Sequence, residues 1–195
     1  MKIDTLHTAR LTVRPFALSD RDALAGLFGG EPASDDARAA RERWLTWASL
    51  SPEQLWSLRQ VPYGDRAVVL NEGAALIGSV GLVPILLPPI HPGDTPDTII
   101  AAAGPMRPAM GLYWAINAER RGRGYAVEAA GALIEAARAA LDLAGVYAVT
   151  TFDNAASQRV MAKLSMTVAR NTSGEPAWLQ VLGHLSWSDS VPAVV

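Results

Sequence analysis

An α/β fold of the α+β kind is what this sequence predicts, and three observations carry the prediction. Residues 11–13, 67–83 and 146–151 alternate or run β-branched as strands do, and EAAGALIEAARAAL from Glu128 repeats its apolar residues at helical spacing. Ahead of that helix, residues 111–126 (GLYWAINAERRGRGYA) read as strand, glycine loop and helix start. Strands before and after one central β-loop-α unit, with helices on both sides, describe one layered domain over residues 1–195. A chain of this length buries about 70% of the surface its unfolded form exposes, so stability needs neither metal nor disulfide.

Taken in order, residues 9–16 set Leu11 and Val13 against Thr12 and Arg14, the period of a half-buried strand, which Pro15 ends. Ser19-Asp20-Arg21-Asp22 gives an N-cap and acidic first turn to a helix with Leu24, Leu27 and Phe28 on one face, stopped by Gly29-Gly30. A second helix is expected over 36–50 with Ala40, Trp44, Leu45 and Ala48. Ser51-Pro52-Glu53 then starts a further turn or two through Leu58, with serine as cap and proline at the first helical position. Trp44, Trp47 and Trp56 are expected to bury in the core, the favoured reading, or to line a cleft that takes the acceptor.

Residues 66–70 and 75–83 form two apolar, β-branched runs joined by Asn71-Glu72-Gly73, a hairpin pattern. Residues 84–108 hold seven of the thirteen prolines and show no periodicity. Their Ile85, Leu86, Leu87, Ile90, Ile99 and Ile100 are too apolar for a free linker, so an ordered insertion loop that packs on the domain is expected. The helix over 125–142 puts Ala126, Ala130, Leu133, Ala137 and Leu141 on one face and Glu128, Glu135, Arg138 and Asp142 on the other. There follow a strand at 146–151, a turn and cap at Asp153-Asn154, a helix at 155–164, a strand at 167–169, turn chemistry at 171–176 and a last strand at 178–187. Neither a repeat nor a composition shift marks a second domain.

Charge and composition narrow the function. The net charge is −2 and the one dense basic cluster is Arg120, Arg121 and Arg123, enough for a small anion and too short to track a nucleic-acid duplex. With no cysteine there is no thiol nucleophile, and His7, His91 and His184 lack ligand spacing, so no metal is expected. No run approaches the roughly 20 apolar residues of a membrane span, and a cytoplasmic protein is expected.

A strand, a glycine loop and a helix start hold phosphate because unpaired N–H groups and the positive end of the helix dipole point at the loop. The spacing excludes two such loops. A P-loop needs Lys and Ser/Thr after its last glycine, where Tyr125-Ala126 follow Gly124; a dinucleotide fingerprint needs Gly or Ala where Val127 stands.

What remains, Arg121-Gly122-Arg123-Gly124-Tyr125-Ala126, resembles the R/Q-x-x-G-x-G/A signature of the GNAT superfamily of acyl-CoA-dependent N-acetyltransferases. The resemblance extends over most of the chain. Residues 8–16, Leu76-Ile77-Gly78, Leu112-Tyr113-Trp114, Glu128-Ala129 and Asn154-x-x-Ser157-x-Arg159-Val160-x-x-Lys163-Leu164 look like the branch with the ribosomal-protein N-terminal acetyltransferases. It implies a mixed, mostly antiparallel sheet flanked by helices on both faces and splayed at the central strand. It also implies acetyl-CoA as cosubstrate: Trp114, Ala115 and Ile116 beside the pantetheine arm, Arg121, Gly122, Arg123, Gly124, Tyr125 and Ala126 around the pyrophosphate, and Asn154 and Ser157 near the cofactor or departing thiol. For Asn154 and Ser157, helix capping at N-cap and N3 is an equal reading.

The implied reaction moves an acetyl group directly to an amine, either a protein N-terminal α-amine or a small molecule, and a homodimer is compatible with it. Many members carry a tyrosine acid where this chain has Met161, and a glutamate on the central strand where it has Met110. The common Gly-Phe after the downstream helix is here Ser165-Met166. Ser157 and Glu119 are the substitutes expected to serve catalysis, with His184 and Gln180 on the last strand considered beside them. A chain that binds acyl-CoA as a sensor or interaction module is the alternative.

Overall fold

The computed structural model describes residues 3–27, 29–91 and 93–187. Its elements are β1 (Leu6–His7), β2 (Leu11–Pro15), a 3-10 turn (Leu18–Ala23), α1 (Leu24–Leu27), α2 (Asp35–Ser57), β3 (Gly64–Leu70) and β4 (Leu76–Leu87). They continue with α3 (Pro96–Ala101), β5 (Arg107–Ile116), a 3-10 turn (Ala118–Arg120), α4 (Tyr125–Ala140), β6 (Gly145–Thr150), α5 (Ala155–Lys163), β7 (Thr167–Arg170) and β8 (Val181–Ser186). The eight strands take the order β1-β2-β3-β4-β5-β6-β8-β7. Pairs β1–β2, β2–β3, β3–β4, β6–β8 and β7–β8 are antiparallel. Between β5 and β6 the pairing is parallel, with Gly111 opposite Tyr147.

Two compact units divide the chain, Met1–Val83 with Tyr113–Leu141 and Pro84–Leu112 with Asp142–Val195. In the first, β2 and β3 pair from Leu11 opposite Leu70 to Pro15 opposite Arg66, and the 71–75 turn closes the expected hairpin. The pleat sends Ala67 and Val69 to the face where Phe16, Leu24, Leu45 and Ala48 pack, with Trp44 edge-on to Phe16 at 5.0 Å between ring centroids. Trp47 and Trp56 are 51% and 47% exposed, which overturns the core reading for these two. The break expected at Ser51-Pro52 is also absent. Leu45, Ala48, Ser51 and Leu55 make one buried stripe along α2, and its burial offsets the roughly 3 kcal/mol that an interior proline costs a helix.

The helix expected at 19–28 is instead a 3-10 turn followed by a single α turn. Asp20 accounts for this: its carboxylate takes both Arg14 guanidinium nitrogens, at 2.8 and 2.7 Å, and the Ala17 N–H at 2.8 Å, which holds the chain in a tight turn. Phe28, placed by the sequence on the same face as Leu24, lies outside the described residues.

The second unit is built on Leu87, Ile99, Tyr147, Leu179 and Leu182, with Ile85, Ile90, Ile100, Ala109 and Val149 against them. Much of the expected loop over 84–108 is therefore regular structure. β4 runs on to Leu87, Thr95 caps α3 by accepting the Thr98 N–H at 3.3 Å, and β5 begins at Arg107. Its apolar residues gained burial that overrode the proline signal. After α5, Ser165 takes φ 61°, a left-handed cap, and the Met166 N–H reaches back to the Met161 carbonyl at 3.0 Å. The last strand starts three residues later than expected, because the Leu179 N–H bonds the Pro176 carbonyl in a turn.

Candidate active site

The end of β5 and the start of α4 form the glycine loop of the first unit. Ile116 is buried, Trp114 and Ala115 are half-buried, and Asn117 turns the corner with its N–H on the Ile77 carbonyl at 2.8 Å. Its side-chain amide, oriented to donate, reaches the Gly26 and Ile77 carbonyls at 3.0 and 3.1 Å. Gly78 gives this corner room, since a Cβ there would lie 2.3 Å from the Ala115 carbonyl oxygen.

Beyond the corner, Gly122 and Gly124 take φ 76° and 82°, left-handed conformations that glycine adopts without the Cβ penalty. Gly124 is the N-cap of α4, and no side chain among the described residues caps its first turn. The free N–H groups and helix dipole thus face outward from Gly122 to Ala126, ready for an anion. Arg121, expected beside the pyrophosphate, is tied into the loop by two of its nitrogens. Its N–H bonds the Ala118 carbonyl at 3.3 Å and its Nε the Ile116 carbonyl at 2.9 Å, which leaves the two terminal guanidinium nitrogens outside these bonds. Arg123 is exposed.

A second brace comes from the N-terminal segment. Glu128, one turn into α4, accepts Thr8 Oγ1 at 2.6 Å, the Arg10 N–H at 2.9 Å and Arg10 Nε at 2.7 Å. Arg10 in turn donates to the Arg123 carbonyl at 3.0 Å and lies over the Tyr125 ring at 4.6 Å. Burial alone would raise the Glu128 pKa; the Thr8 and Arg10 hydrogen bonds and the Arg10 charge overcome it and hold the carboxyl below its usual range. Sequence reading set Glu128 on the solvated helix face and missed this clamp. The available signal was its place in the first turn after two glycines, where an acidic side chain can reach back past the loop.

In the second unit, Asn154 Oδ1 accepts the Ser157 N–H at 3.1 Å, the N-cap of α5. Ser157 is half-buried and Glu119, in the 3-10 turn of the first unit, is exposed. Met161 is fully buried and packs its sulfur 3.0 Å from where a Gly183 Cβ would sit, so this position belongs to the core. His184 stacks on Tyr147 at 4.4 Å, and burial lowers its pKa, which keeps it neutral rather than on a polar strand face. Among the described residues no group of His, Cys, Asp and Glu could hold a metal ion, and no helix is long and apolar enough to cross a membrane.

Among solved structures, an acetyltransferase from Agrobacterium tumefaciens str. C58 is similar to this chain at TM-score 0.61 and 23% identity, covering 95% of each chain. A ribosomal-protein-S5-alanine acetyltransferase from Vibrio fischeri is similar at TM-score 0.61 and 18% identity, covering 96% of this chain and 99% of its own. Mycobacterium smegmatis RimJ, in complex with CoA-disulfide, is similar at TM-score 0.61 and 14% identity, covering 98% and 93%. No curated protein matches the sequence. The family described as Acetyltransferase (GNAT) domain matches residues 10–167, from the arginine of the N-terminal clamp to the first residue of β7. This chain therefore belongs to the GNAT acetyltransferase family.

Proposed function

We propose that the protein is an acyl-CoA-dependent N-acetyltransferase that moves an acetyl group from acetyl-CoA to an amine by direct transfer. The observation that carries this reading is the uncapped α4 terminus behind Gly122 and Gly124, braced by Arg10 and Glu128, in a chain of the GNAT family. The N–H groups of residues 122–126 would hold the pyrophosphate, with Arg123 adding charge, and the backbone of Trp114 to Ile116 would meet the pantetheine arm. Transfer forms a bond from the amine nitrogen to the thioester carbonyl carbon and breaks the carbon–sulfur bond, and the leaving thiolate takes a proton. Ser157 is the proposed donor for that proton, and Asn154, by capping α5, positions it. Glu119 is the other candidate for proton transfer.

An α-amine has a pKa near 7.7–8.0 and a lysine amine near 10.4, so lysine costs roughly 3.5 kcal/mol more to deprotonate at neutral pH. A site without a family-type base favours an α-amine or a weakly basic small amine as acceptor. We also propose that the two units act together as one catalytic domain in the cytoplasm, alone or as a homodimer.

A second reading, an acyl-CoA sensor without turnover, is favoured by the buried Met161 in the place of the family's tyrosine acid. Thiol release from acetyl-CoA across a panel of α-amines, small amines and internal-lysine peptides separates the two. Amine-dependent release supports the transferase. Tight acetyl-CoA binding without such release at any pH supports the sensor, and release with internal-lysine peptides alone contradicts the acceptor class.

A further inference from the structure

The first unit holds a carboxylate that no cation among the described residues matches. Asp65, second residue of β3, lies opposite Gly81, and Ala67 lies opposite Ser79, so the pleat sets Asp65 and Ser79 on the face of the sheet that α2 covers. Asp65 is half-buried, and Trp44 of α2 donates its indole N–H to Oδ2 at 3.2 Å. Among the described residues no Arg, Lys or His pairs with it, whereas Asp20 has Arg14 at 2.7 Å and Glu128 has Arg10. Tyr113, on β5 and one residue before the stretch assigned to pantetheine, is 40% exposed; burial, then the Asp65 charge, raise its pKa, and a hydrogen bond with Ser79, on the same face as Asp65, lowers it. Burial raises the Asp65 pKa, with the Trp44 bond offsetting part of the rise. A desolvated carboxylate with one neutral donor and no cation is costly to keep unless a ligand completes it.

We propose that Asp65 is the docking group for the amino group of the acceptor, with Trp44 and Tyr113 beside it. The acceptor class is a primary amine next to an apolar or aromatic group and free of negative charge close to the nitrogen, which the Asp65 carboxylate would repel. This rests on the N-acetyltransferase reading and specifies its acceptor.

The test uses 2-phenylethylamine and its N-acetyl form as probes of the full chain saturated with coenzyme A. It reads the Trp44 indole N–H resonance together with steady-state thiol release from acetyl-CoA. The amine is expected to shift the indole signal saturably and its N-acetyl form not to. In Asp65→Asn the shift is lost and KM for the amine rises about tenfold or more, with kcat changed less and acetyl-CoA affinity unchanged. Tyr113→Phe, which keeps the ring, should raise KM less.

An unchanged KM in Asp65→Asn, a shift that persists without the carboxylate, or no saturable shift in the wild type would each overturn the docking site. If the wild type releases no thiol while the shift is amine-specific and depends on Asp65, the transferase reading fails and the docking site stands.

Discussion

Two carboxylates of the same unit meet opposite fates. Glu128 takes hydrogen bonds from the Thr8 hydroxyl and from the N–H and guanidinium of Arg10, and its pKa falls; Asp65 takes a single indole N–H, and its pKa rises. The first has its partners inside the protein and holds a loop in shape. The second lacks a charged partner among the described residues. A carboxylate saturated by its own chain acts as a brace, while one left short of partners is the place to look for a ligand.

The largest expected effect comes from cutting the brace. Glu128→Ala strips the acceptor from Thr8 and Arg10, and should cost about 2 kcal/mol of stability by denaturant unfolding. It should also weaken acetyl-CoA binding about tenfold or more by calorimetry, because the Arg123 carbonyl and Tyr125 ring lose the arginine that positions them. Binding within twofold of the wild type would show that the glycine loop keeps its shape unaided.

Next, pH should pull the two carboxylates apart. The depressed Glu128 pKa means that its contribution is present above the unfolded value near 4.3 and is lost as pH falls through the folded value. The raised Asp65 pKa has the opposite sign: its contribution is most favourable below the unfolded value near 3.9 and is lost as pH rises through the folded one. Thermal melts from acid to neutral pH should therefore show Glu128→Gln falling behind the wild type as pH rises, while Asp65→Asn moves ahead of it. Parallel curves for the two variants would break the comparison.

A smaller change sharpens it. Gly124→Ala places a Cβ at φ 82° and 3.5 Å from an Arg10 nitrogen, at a cost of about 1–2 kcal/mol for the left-handed backbone. Gly122→Ala, at φ 76° in open space, should cost a similar backbone strain and disturb Arg10 less. Melts of the two, paired with acetyl-CoA titrations, measure how far the brace depends on close approach. Smallest of all, Asn154→Ala should cost about 1 kcal/mol as a lost cap.

The glycine loop, the 71–75 hairpin, α4 and α5 were legible because each is specified by neighbours within a few residues: a turn dipeptide, a cap, a helical period. What the sequence hid is held by distant partners. Thr8 and Arg10 lie 120 and 118 residues from Glu128, and no local pattern couples them. Pro52 and Pro84 read as breaks, yet the stripe through Leu55 and the core contacts of Ile85 and Leu87 carried the helix and the strand past them. Asp65 carries no local signal; its meaning depends on Trp44, 21 residues away on α2, whose indole N–H it accepts. Arg121 shows the limit in the other direction, since its motif position was clear while its side chain serves the Ile116 carbonyl.

Acetyl transfer itself is tested most directly by amine-dependent thiol release from acetyl-CoA, read at several pH values for the wild type. The expected result is release that saturates with an α-amine or a small primary amine and grows as the amine loses its proton. Acetyl-CoA binding with thiol release no faster than in the absence of amine, at every pH, would contradict it.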